Sequence, residues 1–317
     1  MNSNISLPIK IGSRTSELAI AQANQVKNKL LESFPEIKNS DIEIITMQTT
    51  GDKLLDKNLS LFGGKSVFTK EIEEALLAKK IDIAVHSMKD VPAILPKTLF
   101  IKAIVEREEA TDAFISNKYK NLLHLPKNAV IGTSSIRRKA ILLYLRKDLK
   151  IIDFRGNINT RLRKLKEQDI DGIILATSGL KRVGITSVIT KKIPTDMMVP
   201  AMGQGAIGVE CREDDYAIHK ILEKINHKES EFCVSLEREF MLQIDGSCQT
   251  PIGCFAKFVG SDIQIKATII HPDGTKKIDK NIIVSKEDAF TSINHIVEEF
   301  KEKGADIIEY IKKHSNV

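Results

Sequence analysis

The chain of 317 residues carries 48 Lys and Arg against 42 Asp and Glu, a net charge of +6, with 42% hydrophobic and 28% charged residues and no tryptophan. This is the composition of a globular chain long enough for two or three cores, and no run approaches the roughly 18 apolar residues of a membrane span. The opening MNSNISLPIKIGS has no apolar segment behind a basic start, so no secretory signal is expected and the cytoplasm is the expected setting.

Apolar runs alternate with amphipathic stretches through the first two thirds, which predicts an α/β fold. A strand over residues 9–12 leads into a helix near 16–33. A strand over 42–47, a Gly63-Gly64 loop and a helix near 68–79 come next, with Glu71, Glu73 and Glu74 suiting the helix N-terminal dipole. The next strand, 81–85, opens the segment DIAVHSMKDVP, which ends on Lys89 and Asp90 and is stopped by Pro92. A strand anchored in the core holds the residues at its end rigidly at the sheet edge, where Asp90 could donate a proton or face a cationic intermediate. A plain surface turn is the competing reading, and His86 reads equally well as a core histidine with a satisfied hydrogen bond.

A second set of elements repeats the order. Strands at 113–116 and 130–132 precede a helix opened by Ser134 or Ser135, both good N-caps. A strand at 151–154 leads through Gly156 into a helix capped by Asn157 or Asn159, and a strand at 172–176 with a short helix ending near Gly184 closes the set. IGSRTSELAIAQ from Ile11 and IGTSSIRRKAIL from Ile131 read as weak copies, predicting two similar lobes that face one another.

Between residues 133 and 166, eleven Lys or Arg stand against Asp148 and Asp153, a local +9 that leaves −3 for the rest of the chain. Arg137, Arg138, Arg155, Arg161 and Arg163 fall at helix starts or strand ends, where N–H groups already draw anions and guanidinium forks grip carboxylate or phosphate. A solvated basic face would explain the run blandly. Nucleic acid fits less well than a small polyanion, because Tyr144 and Phe154 are the only rings nearby to stack on bases. The loop Gly63-Gly64-Lys65-Ser66 lacks the spacing of a phosphate loop.

After Val199-Pro200, GQGAIGVEC reads as a crossing segment and strand. Helices near 216–225 and 230–243, strands at 253–259, 263–270 and 277–284, and a helix over 286–301 predict a small α+β domain. Gly260-Ser261 and Pro272-Asp273-Gly274 are its turns. Cys211, Cys233, Cys248 and Cys254 contain no C-x-x-C pair, so no metal site is indicated. Cys248, in the turn-forming loop DGSCQTPIG, is the candidate nucleophile, although nothing near it in sequence shows how its thiol is activated.

In chain order, IGSRTSELA, GGKSVFTKE, DIAVHSMKDVP, GTSSIRRKA, FRGNINTRL, LATSGLKR, PAMGQGAIGVECR and SCQTPIG make the chain resemble the porphobilinogen deaminase, or hydroxymethylbilane synthase, family over nearly its whole length. The resemblance implies two lobes like those of two-lobed periplasmic binding proteins, over 1–105 with 204–222 and over 106–203. It adds a third domain, 223–317, with a three-stranded antiparallel sheet and the cysteine loop. It implies a transferase of haem biosynthesis that condenses four porphobilinogen units head to tail, releases ammonia each time, and hydrolyses off the linear tetrapyrrole. A dipyrromethane cofactor on a thioether to Cys248, no metal, and Asp90 as the catalytic acid are implied by the same resemblance.

In that family the cofactor carboxylates fall to residues matching Lys89, Ser87, Thr133, Ser134, Ser135, Arg137, Arg138 and Arg155. Substrate carboxylates fall to Arg14, Ser16, Lys65, Arg155, Arg161 and Arg182, with Gln204 beside the site. Leu61 and Ser247 depart from the lysine and glycine that some members carry. A monomer without nucleic-acid or membrane partners is expected. The competing reading, a non-catalytic two-lobed polycarboxylate-binding protein, gives no reason for Asp90 or for a loop thiol.

Overall fold

A computed structural model describes residues 7–53, 68–244 and 250–315. Lys65 and Leu61, with the Gly63-Gly64 loop, and Cys248 and Ser247 lie outside the described residues.

The first lobe runs β1 (Ile9–Arg14), α1 (Glu17–Ser33), β2 (Ile42–Met47), α2 (Thr50–Lys53), α3 (Lys70–Leu77), β3 (Ile83–Ser87) and β4 (Leu99–Ile104). β1 and β3 are mostly buried because α1 and α3 pack against them, as a parallel sheet requires. The second lobe comprises β5 (Asp112–Ile115), β6 (Val130–Gly132), α4 (Ile136–Leu145), β7 (Lys150–Ile152), α5 (Ile158–Glu167), β8 (Gly172–Ala176), α6 (Thr177–Arg182) and β9 (Lys191–Ile193). β10 (Ile207–Arg212) then returns to the first lobe.

The sheet orders are β2-β1-β3-β10-β4 and β7-β6-β8-β5-β9. In each, three parallel strands are followed by an antiparallel strand that the other lobe delivers and by an antiparallel edge. The weak sequence copies are thus one topology used twice.

The two crossing segments run side by side. Val105 N donates to Ile207 O (3.1 Å) and Glu108 N to Gly205 O (3.1 Å). Gly205 has φ +89°, and a Cβ there would stand 2.3 Å from Glu108 O, so both conformation and approach demand glycine.

α7 (Tyr216–Ile225) packs Ile218, Ile221, Leu222 and Ile225 onto Ala23, Val26 and Leu30 of α1, so this helix is part of the first-lobe core through Ile225. The third body is α8 (Lys228–Gln243), an antiparallel sheet of β11 (Ile252–Val259), β12 (Asp262–Ile270) and β13 (Lys277–Val284), then α9 (Ala289–Lys303) and α10 (Ala305–Ser315). Leu236 and Phe240 of α8 and Phe300 of α9 fill its core against Ile263, Ile265 and Ile269.

Glu237, fully buried on α8, ties this body to both crossings. It accepts from Arg107 Nη1 (2.6 Å) and Nη2 (3.0 Å), from Gly203 N (2.6 Å) and from Ala256 N (2.8 Å). Among the described residues no helix is long and apolar enough to cross a membrane.

Candidate active site

Asp90 closes a 3₁₀ turn, Met88–Asp90, that comes directly after β3. Val91 N bonds Met88 O (3.2 Å) inside the turn, and Met88 N donates to Ala206 O (3.0 Å) in the second crossing. A Cβ at Gly208 would stand 2.1 Å from Met88 Sδ, and one at Gly203 2.7 Å from Met88 Cβ. The turn is therefore seated on the chain that returns from the second lobe. Asp90 itself is partly exposed and, among the described residues, accepts no hydrogen bond and joins no ion pair.

Cations of the second lobe converge on that turn. Burial lowers the Lys89 pKa, and Arg138 and Arg161 push it the same way against the pull of Asp90 and Asp112. Arg161, on α5, donates Nε to Gly156 O (2.7 Å) and is brought down to about 10 by burial, with Arg138 and Arg155 opposing Asp153 and Asp90. Arg155 Nε donates to Asp153 Oδ2 (2.7 Å). The Asp153 pKa is lowered because its bonds to Ser134 and Arg155 outweigh burial.

Beneath them lies a closed ion-pair floor. Asp112, with no exposed surface, accepts from Arg137 Nη2 (2.8 Å) and from Arg138 Nε (3.0 Å) and Nη2 (2.6 Å). Arg137 Nη1 also donates to Val199 O (2.6 Å) and Arg138 Nη1 to Ile174 O (2.9 Å). Burial alone would raise the Asp112 pKa, but the two guanidiniums outweigh it and hold it at about 2. Gln204 Nε2 joins this floor through Ala110 O (2.6 Å) and Asp112 Oδ1 (3.1 Å). Arg137 and Arg138, expected as ligands of an external carboxylate, here grip an internal one.

The hydroxyl residues shape the lips of the cleft. Ser135 caps α4 by accepting from Arg138 N (3.4 Å), Thr133 Oγ1 accepts from Ser135 N (3.2 Å), and Ser134 Oγ accepts from Phe154 N (3.0 Å). Asn157, rather than Asn159, caps α5. In the first lobe Ser16 caps α1 by accepting from Ala19 N (3.3 Å), and Ser87 Oγ lies 2.7 Å from Gln22 Nε2.

Arg14 pairs with Asp52 and lies 4.3 Å from the Phe68 ring centroid. Arg182 reaches the second crossing and α1, donating to Gly205 O (2.7 Å) and Gln25 Oε1 (3.3 Å), with burial bringing its pKa to about 10. Asn159 Nδ2 meets Glu17 Oε2 (2.5 Å) from the opposite lobe.

Sequence reading missed three buried carboxylates: Asp112, Glu210 and Glu237. Glu210 left a trace, an acid inside the apolar run IGVEC; its Oε2 lies 2.9 Å from His86 Nε2, which gives that histidine its core partner. Glu73 faces the same pair and has its pKa raised by burial and by Glu210. Cys211, Cys233 and Cys254 are buried free thiols, pushed by burial up to about 12 for the first two and well above the ordinary thiol range for Cys254.

The donor set suits a polycarboxylate. Lys89, Arg137, Arg138, Arg155 and Arg161 face Asp90, Asp112 and Asp153, five cations to three carboxylates in a partly desolvated cleft. A bound group with several carboxylates would supply the missing negative charge.

Cations from both lobes gathered at one open carboxylate, in a cleft bridged by two crossing segments, define a two-lobed α/β protein with a cation-rich cleft. Residues 9–220 match the family described as "Porphobilinogen deaminase, dipyromethane cofactor binding domain", and residues 231–302 match "Porphobilinogen deaminase, C-terminal domain". The chain belongs to the porphobilinogen deaminase family.

Relatives carrying that name include one from Syntrophomonas wolfei, 47% identical over 269 residues, 85% of this chain and 87% of that one. Another, from Campylobacter hominis, is 44% identical over 307 residues, 96% of this chain and 97% of that one. Among solved structures, the methionine binding protein MetQ aligns with 73% of this chain and 94% of its own at 15% identity and a TM-score of 0.44.

Proposed function

We propose that this chain condenses four porphobilinogen units head to tail and releases the linear tetrapyrrole, with Asp90 as its acid and Cys248 as the thioether anchor of the dipyrromethane. The observation that carries the reading is the contrast between carboxylates: Asp112 and Asp153 are engaged by arginines, whereas Asp90 is open. In its protonated form an open Asp90 carboxyl beside Lys89 can hand its proton to the leaving amine of the substrate, and the carboxylate left behind then faces the cation that develops at the adjacent pyrrole. It can afterwards take up the proton released on coupling.

When bound, the dipyrromethane supplies the pyrrole end onto which units are added. Lys89 and Arg161 would hold its carboxylates and those of the incoming unit, since their charged ends are not engaged by protein carboxylates among the described residues. Arg137 and Arg138 would act from below, by fixing the floor and by their field. Arg14, Ser16, Ser87, Arg155 and Lys65 complete the proposed binding set. Thr133, Ser134 and Ser135 would present the start of α4, and Arg182 and Gln204 would brace the crossings. The free thiols of Cys211, Cys233 and Cys254 fit a reducing cytoplasm, and the proposed working unit is a monomer.

Intact-mass measurement tests the reading. The purified chain, after incubation with porphobilinogen, should carry a covalent adduct of two condensed pyrrole units that Cys248→Ala lacks. Asp90→Asn should keep the adduct and lose turnover by about 10²-fold or more. An adduct-free chain, or near-normal turnover in Asp90→Asn, sinks the assignment.

A further inference from the structure

The third body reaches the Asp90 turn through one side chain. Arg238 Nη2, on α8, donates to Pro92 O (2.9 Å) and Ala93 O (3.1 Å), the residues by which the chain leaves that turn. One helical turn earlier on the same face, Val234 packs with Met88 and Val91, which bracket Lys89 and Asp90. Ala93 packs onto the core of the third body. Residues 91–95 belong to no helix or strand, and Pro92 has no N–H to offer, so this stretch of backbone is fixed from outside.

The grip is an expensive one. Arg238 Nη1 is sealed from solvent and finds no acceptor among the described residues. Burial lowers the Arg238 pKa against the pull of Glu210, whose own Oε1 is buried without a partner among the described residues and whose Oε2 lies on His86, four residues before Asp90. An apolar side chain at this position would carry no such desolvation cost. It could not, however, hold two carbonyls at fixed distances with charge-assisted bonds.

We propose that Arg238 is a positioning residue for the Asp90 carboxylate. It pins the exit of the acid's turn to α8, so that the third body fixes where that turn ends. The inference rests on the roles given above to Asp90 and Cys248.

The test compares Arg238→Gln and Arg238→Lys with the unsubstituted chain, reading adduct by intact mass, kcat and KM for porphobilinogen per loaded chain, and thermal midpoint. A displacement near 1 Å at a reacting group costs on the order of 10²-fold, so Arg238→Gln should load fully, keep KM within about twofold and lose at least ~10-fold in kcat. Arg238→Lys, with one point charge in place of a fork, should fall between the two. Unchanged kcat per loaded Arg238→Gln chain, or a lower thermal midpoint with kcat intact, overturns the proposal. Should Arg238→Gln fail to fold, Arg238→Lys decides it, and kcat equal to that of the unsubstituted chain again overturns it. Failure of the underlying reading shows separately, as a missing adduct in the unsubstituted chain or as turnover in Asp90→Asn.

Discussion

Asp90 and Asp112 both pull on Lys89 and are engaged in opposite ways. Asp112 is closed off under two guanidiniums and is a structural anion; Asp90, at the end of a rigid strand, is left open. Asp112 ionises at about 2 in the folded chain, below its ordinary 3.8. Its contribution to stability is therefore present above pH 3.8 and is lost as pH falls through 2, a change of about 2 kcal/mol. Asp112→Asn should lower the thermal midpoint at neutral pH, and the gap to the unsubstituted chain should narrow between pH 4 and pH 2. A gap that stays constant over that range would contradict the pairing. The turn that presents Asp90 could be read from the sequence because strand, charge and proline sit together within eleven residues. Asp112 could not, since its partners lie 25 and 26 residues away and neither end marks the pair.

At the scale of elements, most strands and helices announced themselves by period and cap. β2, β6, β8, β13 and α7 begin and end where their patterns do, and the Ser135 and Asn157 caps open α4 and α5. β9 was not legible, because Lys191, Lys192 and Ile193 form a short, largely exposed edge with no apolar run. Nor was α10, which comes after α9 and a single Gly304; a Cβ at that residue would stand 2.7 Å from Phe300 O. The second crossing carried its signal in glycine. Gly205→Ala must place a methyl against the backbone oxygen of Glu108 in a left-handed conformation, a strain of order 1–3 kcal/mol. A lower thermal midpoint together with a lower kcat is the expected outcome, measured by calorimetry and turnover.

At the scale of the molecule, three bodies meet on one carboxylate. Glu237→Gln leaves the Arg107 charge buried with half of its pairing gone, and breaking such a pair costs about 3–5 kcal/mol. Denaturant titration should show that loss; a variant as stable as the unsubstituted chain would remove Glu237 from the junction. The buried thiols have a consequence of another kind. Under the proposed function an electrophile must reach one sulfur and be kept from the others, and nothing in it tells one cysteine from another. Cys211, Cys233 and Cys254 are shut inside apolar cores with their protons held on, so on that proposal the scaffold sorts by denying every described alternative rather than by recognising a target.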